Sequence, residues 1–426
     1  MIFETAAKML FLLISTSISV NLNGNDDLCT ADMILSVCMI LCVMALLCLL
    51  HTYVFFPLLM RGLLYFSSDK KQPAIAENEL PHLSILIAAH NEVKVIGDKL
   101  QSIIDNQYPE DKLEILVGSD SSTDGTDEQV DLLSKKFPCI KLFRFNNRSG
   151  KPAIINQLAN QSVGTVLVIT DANVFFDKDT LRQLAMSFKN NSVGLADTRM
   201  VNTGLKKSGI SHQEKAYISS EVVTKYAEGK IWGCMMGPFG GCYAVRKELY
   251  QPVPEKNLVD DFYVSMKVLE QGYQCVSNPD AVVYEEVSNN LKIEYHRKTR
   301  IATGNFQNLK AFSHLLWKGK GIGFCFLSHK VLRWLGPLFL ITVLICSGIM
   351  VLINGGNLFF EILFTGISLS LLMVLFDRIL NLAGIHLSLL RLNTHFIVMN
   401  IALLKGLIRY LKGVNSGVWQ PTERHQ

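Results

Sequence analysis

The sequence predicts an α/β fold, in which one soluble domain with a mostly parallel sheet is flanked by transmembrane helices. Short apolar runs alternate with helix-like segments through the middle of the chain, a pattern typical of βαβ units. Hydrophobic residues make up 49% of the 426 residues, and the excess lies mainly at the two ends. Polar residues follow directly after the apolar runs of the middle part. This favours a ligand site at the carboxyl ends of the strands.

The soluble domain is expected over residues 80–326. Its predicted strands are Leu83–Ala89, Leu113–Val117 and Thr165–Thr170. Its predicted helices are Lys94–Asn106, Asp127–Lys136, Pro152–Asn160 and an amphipathic segment from Asp260 to about Gln271. A domain of this size can form a single substantial core.

Two apolar segments precede the domain. Within residues 1–31, the run Met9–Val20 is a signal-peptide core or a short first span. Because no small-x-small cleavage site stands out, we expect this segment to be retained. The uncharged run Met33–Met60 predicts a transmembrane helix over residues 32–62; a buried core helix is the alternative.

Further transmembrane or interfacial helices are expected over residues 328–412. The apolar stretches there are Trp334–Ile353, Leu358–Phe376 and Phe396–Leu404. Either Ile379–Leu390 helps to form a hairpin, or one stretch lies along the membrane interface.

Basic residues near the domain-side ends of the apolar segments predict the orientation of the chain. They are Arg61, Lys70, Lys71, Lys330 and Arg333. Because such residues are enriched in cytosolic loops, we expect the soluble domain over residues 80–326 and the tail over residues 413–426 to be cytosolic. The protein is then an integral protein of the bacterial inner (plasma) membrane.

The net charge argues against nucleic-acid binding, and the cysteine spacing argues against a cysteine-bound metal. A net charge of +4 gives no electrostatic footprint for a nucleic-acid partner. The ten cysteines form no Cys-x-x-Cys pair, so we interpret them as reduced thiols that bind no metal.

The strongest chemical signal follows the third predicted strand. The apolar run Thr165–Thr170 ends in Asp171, and Asn173 follows after one small residue. Two oxygen-bearing side chains at a strand end suit a hard divalent cation that bridges to a diphosphate. Asp in that position is also common as an ordinary turn residue.

The other strand ends, and the start of a helix, carry comparable signals. The first strand ends in Ala88-Ala89-His90-Asn91-Glu92, and the second runs into Gly118–Thr126, which contains Asp120. Acidic and small residues there suit a nucleotide, although Ser122–Thr126 also reads as a turn with a helix cap. Lys151 at a helix start can meet an anion or be an ordinary solvated lysine.

Two adjacent carboxylates begin the last helix of the domain. One of Asp260 and Asp261 is explained by helix capping. The second exceeds that need and is a candidate general base. The glycine-rich stretch Gly237–Arg246, with Gly240 and Gly241, suits a loop close to a ligand.

Taken together, these motifs resemble those of family 2 glycosyltransferases, in the same order and spacing. They are Ile87–Glu92, Ser119–Thr126, Gly150–Pro152, Asp171–Asn173 and Asp260–Asp261. The membrane-integrated branch, with the hyaluronan, cellulose, chitin and poly-N-acetylglucosamine synthases, is also similar in architecture. The resemblance covers residues 80–310.

The resemblance implies a GT-A fold that binds a nucleotide-diphosphate sugar, usually a uridine one. Ala88 and Glu92 match the first nucleotide-contacting motif, Asp120 matches the carboxylate that reads the base, and Lys151 matches the basic residue of the pocket. Asp171 matches the first carboxylate of the Asp-x-Asp motif that holds Mg²⁺ or Mn²⁺. Asp261 matches the catalytic base. The usual outcome is inversion, which gives a β-linkage.

Two positions depart from the family pattern. Asn173 replaces the second Asp of Asp-x-Asp, so we expect a weaker metal site. Of the Gln-x-x-Arg-Trp signature of processive synthases only Arg300 is kept, since Arg297 and Ile301 replace the Gln and the Trp. Arg297, Lys298 and Arg300 either face the diphosphate or, for the first two, form a solvated helix face.

The sequence therefore predicts a metal-dependent hexosyl- or N-acetylhexosaminyltransferase in the membrane. Its partners are a nucleotide-sugar donor, a saccharide or lipid-linked acceptor and the lipid bilayer. Transfer of one sugar to a lipid-linked or short acceptor is the alternative to polymer synthesis. Two alternatives belong to other classes of protein. One is a transporter with a regulatory nucleotide-sugar-binding domain, against which the few charges in the spans argue. The other is a catalytically dead binding module, against which the intact Asp171 and Asp261 argue.

Overall fold

The computed structural model describes residues 25–67, 79–204, 211–286, 291–353, 357–385 and 387–414. The run Met9–Val20 and nearly all of the tail lie outside these residues. The chain divides into two compact units, one comprising Met1–Cys48 and Leu338–Leu372 and the other Leu49–Pro337 and Met373–Gln426.

Eight strands form one sheet in the larger unit. They are β1 Leu83–Ala89, β2 Leu113–Asp120, β3 Ile140–Phe145, β4 Val166–Asp171, β5 Val174–Phe176, β6 Val193–Thr203, β7 Cys242–Arg246 and β8 Gln274–Glu286. Their order across the sheet is β3-β2-β1-β4-β7-β6-β8-β5. β1, β2, β3 and β4 pair in parallel, as do β6 and β8. β7 is antiparallel to both of its neighbours, and β5 to β8.

The helices up to residue 312 are α1 Asn25–Leu50, α2 Phe56–Phe66, α3 Val93–Ile104, α4 Thr126–Lys136, α5 Lys151–Gln161, α6 Thr180–Ser187, α7 Ser211–Trp232, α8 Asp260–Glu270 and α9 Leu291–Phe312. Those that follow are α10 Ile322–Cys325, α11 Leu332–Trp334, α12 Gly336–Ile353, α13 Leu358–Leu382 and α14 Ser388–Leu411. π-helical turns lie at His51–Phe55 and Phe326–Val331.

The parallel part of the sheet forms because its strands are apolar on both faces. All seven residues of β1 are buried, as expected of a strand covered by helices on two sides. Ile96, Leu100 and Ile103 of α3 lie in the same apolar core as β1, and recur at helical spacing. This packing brings the carboxyl ends of β1, β2 and β4 to one edge, where Ala88 pairs with both Gly118 and Asp171.

A buried charge cluster ties α7 to the helical segment after α10. The ring nitrogens of His329 lie 2.6 Å from Glu228 Oε1 and 2.9 Å from Glu221 Oε1. Lys330 and Arg333 also donate to Glu221, each at 2.7 Å. Burial disfavours the Glu221 carboxylate, but His329 and the neighbouring cations outweigh it and hold its pKa well below the usual range. Because each charge has an opposite partner, the cluster fixes α7 against this segment.

Four helices in the described chain are long and apolar enough to cross a membrane: Met33–Phe66, Gly336–Ile353, Leu358–Leu382 and Ser388–Leu411. In the smaller unit Gly348 of α12 faces the Phe364 ring of α13, where a Cβ would lie 3.1 Å from the ring. The described cysteines are free thiols.

Candidate active site

The candidate site lies where β4 ends and α8 begins. Lys151 is the first residue of α5, and its ammonium donates to Asp171 Oδ1 at 2.7 Å. The same nitrogen lies 3.6 Å from Asp260 Oδ2. Burial disfavours the Lys151 charge, but Asp171 and Asp260 more than compensate and raise its pKa. One lysine thus joins the predicted metal motif to the predicted catalytic pair.

Asp261 lies against the glycine-rich loop. A Cβ at Gly240 would lie 2.5 Å from Asp261 Oδ2, and Gly240 has a φ of +85°, which favours glycine. Asp261 Oδ1 accepts the Phe262 N–H at 2.8 Å. Burial and the neighbouring Asp260 raise the pKa of Asp261 to about 6, partly opposed by Lys151. A carboxylate with such a pKa is suited to accept a proton near neutral pH.

The same loop is attached to the strand that carries Asp171. The Asp171 N–H donates to the Gly241 carbonyl at 2.9 Å, and the Thr170 hydroxyl donates to that carbonyl at 3.0 Å. Gly241 also contacts Met200 of β6. Gly240 is thus next to Asp261 and Gly241 next to Asp171, while the contact of either glycine with a ligand stays a prediction.

Asp120 holds the loop that leads to Lys151. It is fully buried, and its two oxygens accept the N–H groups of Ser149 at 2.7 Å and Gly150 at 3.0 Å. Arg148 Nε lies 3.8 Å from the same carboxylate. These bonds give Asp120 a structural role, while its contact with a base stays a prediction.

The loops after β1 and β2 are bonded to each other. Asn91 accepts the Thr123 N–H at 2.9 Å, and Asp124 accepts the Val93 N–H at 3.1 Å. Thr126 accepts the Glu92 N–H at 2.9 Å. The stretch Ser122–Thr126 is thus a turn that also supports the start of α3, and the donor contacts of Ala88 and Glu92 stay predictions.

The basic cluster of α9 divides into two parts. Arg300 donates to the Leu258 carbonyl at 2.9 Å and so supports the segment just before Asp260. Arg297 and Lys298 instead lie 3.4 Å from the buried Glu294. A contact of Arg300 with a diphosphate stays a prediction.

Two buried lysines were missed by sequence reasoning. Lys99 of α3 donates to the Thr170 hydroxyl at 3.0 Å and to the Val174 carbonyl, which holds both sides of the turn Ala172–Asn173. Burial lowers the pKa of Lys99 to about 7. The available signal was a lysine on the apolar face of α3, between Ile96 and Leu100.

The second buried lysine is Lys225 of α7, which pairs with Asp197 of β6. Its ammonium lies 3.9 Å from Asp197 Oδ2 and 3.6 Å from the centroid of the Phe239 ring. Asp197 accepts the Phe239 N–H at 3.2 Å, and burial raises the pKa of Asp197 to about 7 despite Lys225. Through Phe239, this pair supports the glycine-rich loop. The sequence signal that could have revealed the pair is Asp197, an acidic residue among the apolar residues at the start of β6.

The donor set fits a divalent cation that the substrate helps to hold. Asp171 contributes a carboxylate with a side chain 35% exposed, and Asn173 follows in the two-residue turn between β4 and β5. The described residues contain no cluster of three or more His, Cys, Asp or Glu arranged for a metal. Mg²⁺ commonly uses one or two protein oxygens together with phosphates and water, which matches this sparse set.

Comparison with known proteins finds its matches in the region that carries most of the candidate site. The family model described as Glycosyl transferase family 2 matches residues 84–252, which include Asp120, Lys151 and Asp171 and stop before Asp260. The probable glycosyltransferase YdaM of Bacillus subtilis is 28% identical over 256 residues, covering 57% of this chain and 60% of that protein.

Two further relatives cover a similar region. The β-monoglucosyldiacylglycerol synthase of Synechocystis sp. is 24% identical over 237 residues, 53% of this chain and 48% of that protein. The poly-β-1,6-N-acetyl-D-glucosamine synthase of Staphylococcus aureus is 28% identical over 245 residues, 57% of this chain and 59% of that protein. The chain thus spans about half the length of the curated relatives it matches.

One solved structure is similar in fold to most of this chain. The mannosyltransferase of Pyrobaculum calidifontis, determined in complex with GDP-Man and Mn²⁺, aligns with a TM-score of 0.65 at 22% identity, covering 87% of this chain and 99% of that one. At this identity the likeness concerns the fold. It shows a GT-A-like α/β fold, whereas the match to the Glycosyl transferase family 2 model is confined to residues 84–252.

Proposed function

We propose that this protein is a membrane-bound, inverting, metal-dependent glycosyltransferase. It transfers a sugar from a nucleotide-diphosphate donor, a UDP-sugar, to a saccharide or lipid-linked acceptor and forms a β-glycosidic bond. The observation that carries the proposal is the contact of Lys151 with both Asp171 and Asp260, beside Asp261. An anion-binding group, a metal-binding carboxylate and a proton acceptor are thereby collected in one cluster.

Asp261 acts as the general base. It removes the proton from an acceptor hydroxyl, whose oxygen then forms a bond to the anomeric carbon as the bond to the nucleoside diphosphate breaks. Attack on the face opposite the leaving group inverts the anomeric carbon. The pKa of about 6 supports this role, because most of the carboxylate is then ionised at neutral pH.

Lys151 and Asp260 prepare the site for the leaving group. With its ammonium between two carboxylates, Lys151 stays charged and can bind a diphosphate oxygen without a change of protonation. Mg²⁺ or Mn²⁺ held by Asp171 and Asn173 would neutralise charge on the diphosphate. Arg300 positions the start of α8 through Leu258.

Transfer of a single sugar is favoured over polymer synthesis. Ile301 stands where the processive signature has an aromatic residue, and Arg297 is directed to Glu294. The relatives include a glycolipid synthase and a polysaccharide synthase, so both acceptor classes belong in the test.

The function is tested with membranes that contain the full chain. A panel of radiolabelled nucleotide sugars is supplied, and the products are separated into lipid-extractable, short and polymeric fractions. We expect transfer from a UDP-sugar into a non-polymeric product. The membrane-embedded Asp261→Asn variant is the matched control, and absence of transfer from every donor would refute the proposal.

The metal requirement is tested separately on Asp171 and Asn173. Asp171→Ala is expected to abolish turnover, and Asn173→Ala to weaken it partially, because the amide assists without charge. Asn173→Asp adds a charged ligand and should shift half-activation to lower Mg²⁺ or Mn²⁺ concentration. Binding of Mn²⁺ followed by paramagnetic resonance gives a readout independent of turnover. Full activity in excess chelator would exclude the metal.

A further inference from the structure

The start of the glycine-rich loop is bonded to a side chain of α7. The Met236 N–H, one residue before Gly237, donates to Glu228 Oε2 at 3.0 Å. Met236 and Glu228 are both fully buried, so a lost bond would not be replaced by one to bulk water. Because Gly240 of the same loop lies against Asp261, the position of Glu228 affects the surroundings of the proposed base.

The other oxygen of Glu228 accepts from His329. His329 Nδ1 lies 2.6 Å from Glu228 Oε1, and the imidazole is fully buried. An ionised carboxylate can only accept hydrogen bonds, so Nδ1 carries a hydrogen whatever the state of Nε2. Glu228 therefore connects the backbone of the glycine-rich loop to residues 326–334, which we call the anchor segment.

The anchor segment also packs beside the proposed base. The rings of Phe326 and Trp334 lie against the Phe262 ring, with centroids 5.9 Å and 5.5 Å away. Phe262 follows Asp261 in α8 and donates its N–H to Asp261 Oδ1 at 2.8 Å. A Cβ at Gly237 would lie 2.5 Å from the same ring. The anchor segment thus contacts α8 directly and the glycine-rich loop through Glu228.

Contacts on its other side hold the anchor segment in place. Its first turn, Phe326–Val331, is π-helical, a rare geometry that is frequent at functional sites. Thr52 donates to the Ser328 carbonyl at 2.9 Å, and the Phe56 ring packs on the His329 ring with centroids 5.8 Å apart. All of these residues belong to the larger unit. A side chain held in this way can fix the position of its hydrogen-bond partner.

The two ring nitrogens of His329 have different partners. Nε2 lies 2.9 Å from Glu221 Oε1, and Glu221 also accepts from Lys330 and Arg333. Glu221 lies two turns before Glu228 on α7. The Nε2 side therefore stabilises the packing of α7 on the anchor segment, whereas the Nδ1 side leads to the glycine-rich loop. Substitutions that spare one nitrogen position can separate these two effects.

We propose that His329 is a positioning residue for sugar transfer, which holds the glycine-rich loop through Glu228 in the geometry that Asp261 requires. The inference rests on the proposed function, in which Asp261 is the general base. A displacement of about 1 Å caused by a change far from the reacting atoms can cost about 10²-fold in rate. A hydrogen bond at the start of the loop is therefore sufficient to affect transfer.

Two amide substitutions of His329 separate the two nitrogens. Asn can place an N–H near the position of Nδ1, and Gln can place one near the position of Nε2. We expect His329→Gln to lower kcat about 10- to 100-fold at an unchanged KM for the donor, because Glu228 loses its donor. His329→Asn, which keeps that donor, should restore most of kcat. Transfer from the UDP-sugar is measured with the full chain in membranes, and equal kcat values for the two variants would overturn the inference.

Arg333→Gln is the matched control for stability. It removes a partner of Glu221 and leaves the contacts of Glu228 with His329 and Met236 intact. We expect it to lower the midpoint of thermal unfolding in detergent without lowering kcat. If kcat instead fell in parallel with the thermal midpoint across the three variants, His329 would have a structural role and the inference would fail.

Hydrogen exchange of the glycine-rich loop gives a readout independent of turnover. In the full chain, peptides that contain Met236 should exchange faster in His329→Gln than in the wild type, because the bond to Glu228 is weakened. His329→Asn and Arg333→Gln should keep the wild-type rate. Unchanged exchange in His329→Gln would refute the inference. Absence of transfer by the wild type would refute the proposed function instead, and the exchange rates would still decide whether His329 holds the loop.

Discussion

At the scale of single residues, two adjacent carboxylates have different surroundings and therefore different roles. Asp260 faces Lys151 at 3.6 Å, whereas Asp261 contacts Gly240 and accepts the Phe262 N–H. Both lie in the first turn of α8, where the helix dipole favours negative charge. The N-cap residue is Val259, and no side chain caps the helix start with a hydrogen bond, so the predicted capping role falls on neither carboxylate.

Substitution of each carboxylate by its amide separates these roles. Asp261→Asn is expected to fold, insert and bind donor nucleotide normally but to lose about 10²–10⁴-fold in transfer rate, because an amide cannot accept the proton. Asp260→Asn should keep a substantial part of the activity, since Asp260 shapes the helix start and the local field beside Lys151 without taking the proton. Nucleotide binding and sugar transfer are measured on both variants. An inactive Asp260→Asn with an active Asp261→Asn would move the base by one residue.

The dependence of kcat/KM on pH reports the same carboxylate in the free enzyme. Burial and Asp260 raise the pKa of Asp261 to about 6 from its usual 3.8, and the base must be ionised. Activity should therefore fall about tenfold per pH unit below pH 6. Asp260→Asn removes one cause of the raised pKa and should move this acid limb to lower pH. An acid limb near pH 4 in the wild type would argue against Asp261.

At the scale of elements, the sequence predicted those parts that depend on local pattern. β1 has the predicted bounds, and α3, α4 and α5 begin within one residue of their predicted starts. β7 could not be placed, because it pairs with strands distant in sequence and inserts in antiparallel orientation between β4 and β6.

The candidate site likewise combines residues that local sequence pattern predicts with contacts that only the fold creates. Asp171 and the pair Asp260–Asp261 were recognisable from their positions at element ends. The Lys225–Asp197 ion pair depends on a contact between a helix and a strand that only the fold creates. The role of Gly240 likewise follows from its distance to Asp261, whereas its sequence signal indicated only a loop.

The glycine-rich loop gives a prediction with an internal control. Gly240→Ala places a methyl group 2.5 Å from Asp261 Oδ2, so we expect the carboxylate to shift and transfer to fall strongly while donor binding is kept. Gly272→Ala is the matched control, since Gly272 has a similar φ of +89° but nothing within 4 Å of an added Cβ. Both variants bear the backbone strain of about 1–2 kcal/mol. Equal activity of the two would show that the contact with Asp261 is unimportant.

At the scale of the whole molecule, helix α2 joins the apolar helix α1 to the domain that carries the sheet. α2 belongs to the same candidate span as α1, Met33–Phe66. It packs against α7, with Arg61 donating to Ser220 at 3.2 Å. Its last residues, Tyr65 and Phe66, are each 85% exposed and are suited to the interfacial layer. The contact with α7 therefore holds α2 against the domain that carries the sheet.

The orientation is testable with two of the natural glycosylation sequons, Asn147-Arg-Ser149 and Asn160-Gln-Ser162. Both asparagines are exposed, so the acceptor side chains are accessible to a glycosylating enzyme on the correct side. Because basic residues favour a cytosolic domain, we expect both to stay unmodified when the chain is expressed in a eukaryotic secretory membrane. A sequon engineered between α12 and α13 lies on the opposite side in this topology and should be glycosylated, which shows that the chain has inserted. A glycan on either natural asparagine is detected as a mass shift that endoglycosidase reverses. It would show that the predicted orientation is wrong and that the domain lies on the side away from cytosolic nucleotide sugars.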